Sequence, residues 1–122
     1  MATIRYMVED VDRARTFYID KLGFAAGVDN RPAFAVVHHG DLVLWLAGPA
    51  SSAARPMPDG KRPVPGGWNR LVIEVEDIAA DVDRLTAAGV AFRNKVVVGP
   101  GGKQVLAEDP DGNLVELFEP RR

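Results

Sequence analysis

Two neighbouring histidines, His38 and His39, are the only imidazoles in the chain. Successive residues of a strand point to opposite faces, so the pair cannot share a metal ion. His38 is read as a strand-end residue whose ring can reach a pocket, and neither histidine is assigned a catalytic role. The stretch Asp109-Pro110-Asp111-Gly112-Asn113 opens like a calcium loop, but Pro120 stands where such a loop needs a bidentate glutamate. A tight turn is expected instead. Gly99, Gly101 and Gly102 lack the G-x-G-x-x-G spacing and no helix follows, so they are read as a hairpin turn rather than a phosphate cradle. With no cysteine, disulfides, thiolate metal sites and cysteine nucleophiles are excluded. No Ser, His and Asp set accompanies a nucleophile-elbow sequence.

The elements that must position any site come from a repeat. Val8-Glu9-Asp10-Val11 recurs as Val75-Glu76-Asp77-Ile78. Each copy follows an apolar run, Thr3–Val8 and Arg70–Val75, and each precedes an amphipathic stretch. Val11, Ala14, Phe17, Tyr18 and Leu22 have helical spacing in the first, and Ile78, Val82, Leu85 and Ala88 in the second. Asp10 and Asp77 stand where N-cap carboxylates accept orphan amide hydrogens, and Gly23 and Gly89 where a left-handed residue ends a helix. Strands follow at Phe24–Val28, Ala33–His38 and Leu42–Leu46, then at Phe92–Val98, Gln104–Glu108 and Leu114–Phe118. Turn residues separate them.

The fold class is therefore α+β, with two β-α-β-β-β modules. They are expected to form a curved mixed sheet around a cavity with the helices outside. Module one is read as residues 1–47, module two as 68–122, and the Pro-, Gly-, Ala- and Ser-rich stretch 48–67 as a linker within one domain. The linker leaves open whether the modules pair within one chain or exchange between two. Hydrophobic residues make up 47% of the 122, enough for one core. The net charge of −2, with both signs scattered, gives no footprint for nucleic acid or anionic membrane. No window is apolar enough to span a bilayer, and the first eight residues do not read as a secretory signal. A cytoplasmic location is expected.

The order of these motifs resembles the vicinal oxygen chelate superfamily, which includes glyoxalase I, extradiol dioxygenases and bleomycin resistance proteins. Val8-Glu9-Asp10 leading to Phe17-Tyr18 and Leu22-Gly23-Phe24 carries the resemblance, together with the closing Asp109–Leu117. It covers nearly the whole chain. The resemblance implies metal ligands on the first and last strands of each module in the metal-dependent members. Those positions correspond here to Thr3, Arg70 and Glu116. Aligning Gly40-Asp41-Leu42 with Gly112-Asn113-Leu114 adds Leu44. Of the four, only Glu116 has a metal-binding side chain, whereas a catalytic site needs about three protein ligands. No metal and no cofactor are expected. Arg70 is read as a partner for Glu116 or for an anionic ligand group. A carboxylate so paired is a poor base, so Glu116 is assigned to structure or ligand orientation, not catalysis.

With Thr3 inward, alternation also turns Arg5 and Met7 to the pocket and Ile4, Tyr6 and Val8 under the helix. In module two Arg70, Val72 and Glu74 share the inner face. On the last strands Leu42, Leu44 and Leu46 are expected inward, as are Leu114, Glu116 and Phe118, and Trp45 is expected under a helix. Met57 and Trp68 are candidates to cover or stack on a flat ligand. The function these residues suggest is metal-free binding of an aromatic or hydrophobic small molecule by a homodimer, as in drug resistance. Bleomycin itself is not expected, because the chain is only mildly acidic. The alternative is a glyoxalase-like lyase, isomerase or dioxygenase with an atypical or absent metal site. A third reading is an accessory subunit that uses the fold as an interaction surface.

Overall fold

Asp10 and Asp77 each turn an extended backbone into a helix in the computed structural model, which describes residues 2–122. The Asp10 carboxylate accepts the Arg13 N–H and the Asp77 carboxylate the Ala80 N–H, both at 3.1 Å, satisfying a donor each helix would leave orphaned. Gly23 and Gly89 adopt positive φ (74° and 89°) behind the helices, as the repeat predicts. The chain divides into two units, Met1–Gly66 and Gly67–Arg122. Among the described residues, no helix is long and apolar enough to cross a membrane.

The first unit runs β1 (Ala2–Met7), α1 (Val11–Thr16), β2 (Ala25–Asn30), β3 (Phe34–His39) and β4 (Leu42–Ala47). A π-helical turn over Phe17–Lys21 extends α1, and a 3-10 turn over Ser52–Ala54 follows β4. Strand order is β1-β4-β3-β2, with β1 parallel to β4 and the others antiparallel. Tyr18 and Ala14 are fully buried, and Tyr18 meets Phe17 and Phe24 edge-on at 5.1 and 5.2 Å between ring centroids. Val37, Leu44 and Leu46 complete this core from the sheet.

The second unit runs β5 (Arg70–Glu74), α2 (Ile78–Ala87), β6 (Ala91–Phe92), β7 (Val97–Gly99), β8 (Gly102–Glu108) and β9 (Leu114–Pro120). Strand order is β5-β9-β8-β6, with β7 also on β8 and β5 parallel to β9. Its core is Leu71 and Ile73 of β5, Ile78 and Leu85 of α2, and Val115 and Leu117 of β9. Each unit is thus a β-α-β-β-β module of an α+β protein. One strand departs from the sequence reading: Phe92–Val98 is broken into β6 and β7. Between the pieces the Asn94 side chain accepts the Leu106 N–H at 2.9 Å, standing in for a backbone partner of the ladder. The segment read as a linker groups with the first unit as far as Gly66, where the Gly48 N–H donates to the Ala33 carbonyl at 2.9 Å.

Candidate functional site

The parallel pairing of β1 with β4 sets Arg5 beside Trp45, and β3 sets Val36 on the other side of Trp45. These side chains stand on the face of the first sheet away from α1, because Tyr6, Ala35, Leu44 and Leu46 occupy the helix-facing side and are buried. The Arg5 guanidinium lies 4.9 Å from the centre of the Trp45 ring, in cation–π range. Phe34, opposite Ala47, continues the apolar floor. In β2 the register shifts between Ala26 and Asp29, and Val28 turns toward the same space. Residues 48–54 supply the remaining wall. There the Gly48 carbonyl accepts both the N–H and the hydroxyl of Ser51, at 3.0 and 2.7 Å, which fixes the turn carrying Ser52 and Ala53.

The result is a cavity of about 490 Å³ within the first unit, of the size that holds a drug-like molecule. Its lining is apolar except for Arg5, Ser51 and Ser52. Trp45 keeps 38% of its surface exposed although it sits mid-strand in a sheet. An aromatic face left open inside an apolar cavity is a stacking surface.

Arg5 lies in this cavity, whereas the other expected first-unit residues fall elsewhere. Thr3 shares the open face but not the lining, and Met7 borders a separate cleft with Gly48 and Pro49. His38 is on the open face, but its ring lies over the bare backbone of Gly27, where a Cβ would come within 2.5 Å of His38 Nε2. His39 faces the helix side, 5.1 Å from Phe24. Met57 is exposed in a turn closed by its own N–H donating to the Lys61 carbonyl at 2.7 Å.

The last strand of the first module is a correction. Leu42, Leu44 and Leu46 point to the helix side, Leu44 and Leu46 completely buried, and Trp45 takes the open face. The expectation came from aligning the two glycine turns, but Gly40-Asp41 is shorter than the Asp109–Asn113 turn. The strand register puts Val43 opposite Thr3 and Leu114 opposite Arg70, so Trp45, not Leu44, is the counterpart of Glu116. A slip of one residue exchanges the faces of a strand. The sequence Leu42-Val43-Leu44-Trp45-Leu46-Ala47 is apolar at every position, so alternation alone could not detect the slip. Counting from the paired strand β1 rather than from the turn would have found it.

In the second unit the residues read as facing inward share one face of the sheet. Arg70, Val72 and Glu74 lie in register with Leu114, Glu116 and Phe118. Arg70 Nε donates to Glu116 Oε1 at 3.1 Å, the carboxylate being buried and the guanidinium half-buried. Trp68 is exposed, with the Arg93 guanidinium 5.1 Å from its ring centre, and Arg93 also pairs with Glu108. The Asp109–Asn113 stretch is a turn knotted on itself: Asp109 Oδ1 accepts the N–H groups of Asp111 and Asn113, both at 2.9 Å.

The donor set does not fit the divalent cation of the metal-dependent relatives. The corresponding positions hold Thr3, Trp45, Arg70 and Glu116. Glu116 is the one strong ligand, and a cation is bonded to it already. Among the described residues no group of three His, Cys, Asp or Glu side chains could hold a metal.

Next to the cavity wall, charges pair off among themselves. Arg31 donates to both oxygens of Asp29 at 2.7 Å and to Asp12 at 2.7 Å, tying the end of β2 to α1. The hydrogen bonds from Arg31 hold the Asp29 carboxyl down at about 2, and the same bonds push the Arg31 guanidinium up.

Residues 1–117 match the family model of the glyoxalase/bleomycin resistance protein/dioxygenase superfamily. Among solved structures the chain is similar to TnmS3, an antibiotic binding protein from Streptomyces sp. CB03234. The TM-score is 0.75 at 28% identity, over 98% of this chain and 93% of that one. A superfamily member from Sphaerobacter thermophilus DSM 20745 gives 0.79 at 28% identity, over 98% and 95%. Lactoylglutathione lyase from Agrobacterium tumefaciens gives 0.77 at 22% identity, over 98% and 92%, a likeness of fold. No curated protein matches.

Proposed function

We propose, from the premise that this chain belongs to the glyoxalase/bleomycin resistance protein/dioxygenase superfamily, that it binds a flat aromatic or hydrophobic small molecule and sequesters it without breaking a bond. The observation that carries this reading is the half-open Trp45 indole inside the apolar cavity of the first unit. The likeness to an antibiotic binding protein at 28% identity supports a small-molecule ligand and a resistance-like role. Such a role works by mass action: a tight complex lowers the free concentration of the compound. A glyoxalase-type reaction is not proposed, because the residues at the family's ligand positions do not fit a divalent cation. The reading includes a cytoplasmic homodimer. Exposed Val72, Val98 and Trp68 on the second unit support a second copy covering apolar surface.

The test is thermal unfolding against a panel of fused-ring aromatics and flavins. A compound held at a hundred times its dissociation constant adds about 2.7 kcal/mol of stability. The shift is expected for the wild type and is expected to vanish in Trp45→Ala. The reading fails if no fused-ring compound raises the midpoint, or if Trp45→Ala responds like the wild type.

A further inference from the structure

We propose that the ligand of the first unit's cavity is an aromatic molecule carrying an anionic group, a carboxylate or phenolate, which Arg5 neutralises while Trp45 stacks on the ring system. This rests on the reading of that cavity as a binding site, and extends it to the ligand's charge.

Three guanidinium groups on or beside the two sheets already have carboxylate partners. Arg31 has Asp29 and Asp12, Arg70 has Glu116, and Arg93 has Glu108. The comparison with Arg93 is the closest, because it too lies over a tryptophan, at 5.1 Å from Trp68 against 4.9 Å for Arg5 over Trp45. The same contact is built twice, once with a carboxylate beside it and once without. Among the described residues no carboxylate pairs with Arg5, and none lines the cavity. The acid adjacent in sequence to the lining residue Val28 is Asp29, and both its oxygens are taken by Arg31. Ser52, also in the lining, brings a hydroxyl with no hydrogen-bond partner among the described residues.

A ligand that fills this cavity strips water from Arg5. A neutral hydrocarbon would leave the guanidinium with only the indole face, and a cation would repel it. An anion returns the lost hydration through charge-assisted, two-pronged hydrogen bonds, a geometry that a guanidinium offers and an ammonium does not. Desolvation by the ring system strengthens that bond, so stacking and ion pairing favour the same molecule.

The experiment compares three probes of one shape: anthracene-2-carboxylate, anthracene-2-carboxamide and anthracen-2-ylmethylammonium. Calorimetric titration into wild-type protein is expected to give the carboxylate at least about tenfold tighter binding than the carboxamide, about 1.4 kcal/mol, with the ammonium weakest. In Arg5→Met the carboxylate and carboxamide are expected to bind equally. Arg5→Lys keeps part of the preference, now more sensitive to salt, which separates charge from loss of the side chain. Equal binding of carboxylate and carboxamide by the wild type overturns the proposal and leaves the aromatic-binding reading standing. A preference that survives in Arg5→Met also overturns it. If none of the probes binds, both readings fall.

Discussion

Two open sheet faces, one in each unit, start from the same module and finish with opposite electrostatics. In the second unit β9 presents Glu116 at the register position where β4 of the first presents Trp45. Glu116 takes the neighbouring arginine into an ion pair, so that face carries a self-neutralised couple. Trp45 takes its arginine by the ring face instead, which leaves the charge of Arg5 uncancelled above an apolar floor. Three register positions separate the two faces, Thr3 against Arg70, Arg5 against Val72 and Trp45 against Glu116, and together they decide whether the arginine of a face meets a carboxylate or an indole. The second face has its counter-charge built in, while the first is built to receive it.

The largest change expected from breaking that contrast is in the second unit. Glu116→Leu leaves a half-buried guanidinium without its acceptor, a cost of about 1–3 kcal/mol. Chemical unfolding would show it as a lower midpoint at unchanged slope. The double change Arg70→Met with Glu116→Leu is expected to recover to within about 1 kcal/mol of wild type, since removing both partners strands neither. Arg5→Met in the first unit is expected to cost less than about 1 kcal/mol, since it removes the indole contact but strands no paired charge. If Glu116→Leu and Arg5→Met destabilise alike, the two faces are not the opposites described here.

A smaller effect sharpens the comparison at the edge of the first cavity. Arg31 lowers the Asp29 pKa from 3.8 to about 2. A depressed carboxylate pKa contributes stability that is present above the unfolded value and is lost as pH falls through the folded one. The loss therefore falls between about pH 4 and 2. Because the pair is exposed to solvent, salt is expected to weaken it. In Asp29→Asn the stability profile should be flatter across that window. An unchanged slope would mean that the clamp on β2 does not form in solution.

How much of this was legible in the sequence depended on what set each residue's direction. The helices were plain, because Asp10 and Asp77 cap them through local bonds that reach only three residues ahead. The shared face of Arg70, Val72 and Glu74 was equally readable, since the buried Leu71 and Ile73 alternate with them. Arg70 and Glu116, far apart in sequence, were brought together by a register that the repeat made visible. Trp45 was hidden by its own surroundings: a strand apolar on both faces gives no phase, and the shorter turn before it displaced the alignment by one. The wall at Ser51–Ala53 was hidden for another reason. It depends on a carbonyl gathering two donors from Ser51, and no hydrophobic period announces such a turn.

The most direct measurement is fluorine NMR of protein carrying 5-fluorotryptophan in a Trp68→Phe background, so that Trp45 gives the only signal. Titration with anthracene-2-carboxylate should move that resonance in step with the calorimetric binding curve and saturate at one equivalent. Binding that saturates while the Trp45 resonance stays in place would put the ligand elsewhere and contradict the central claim.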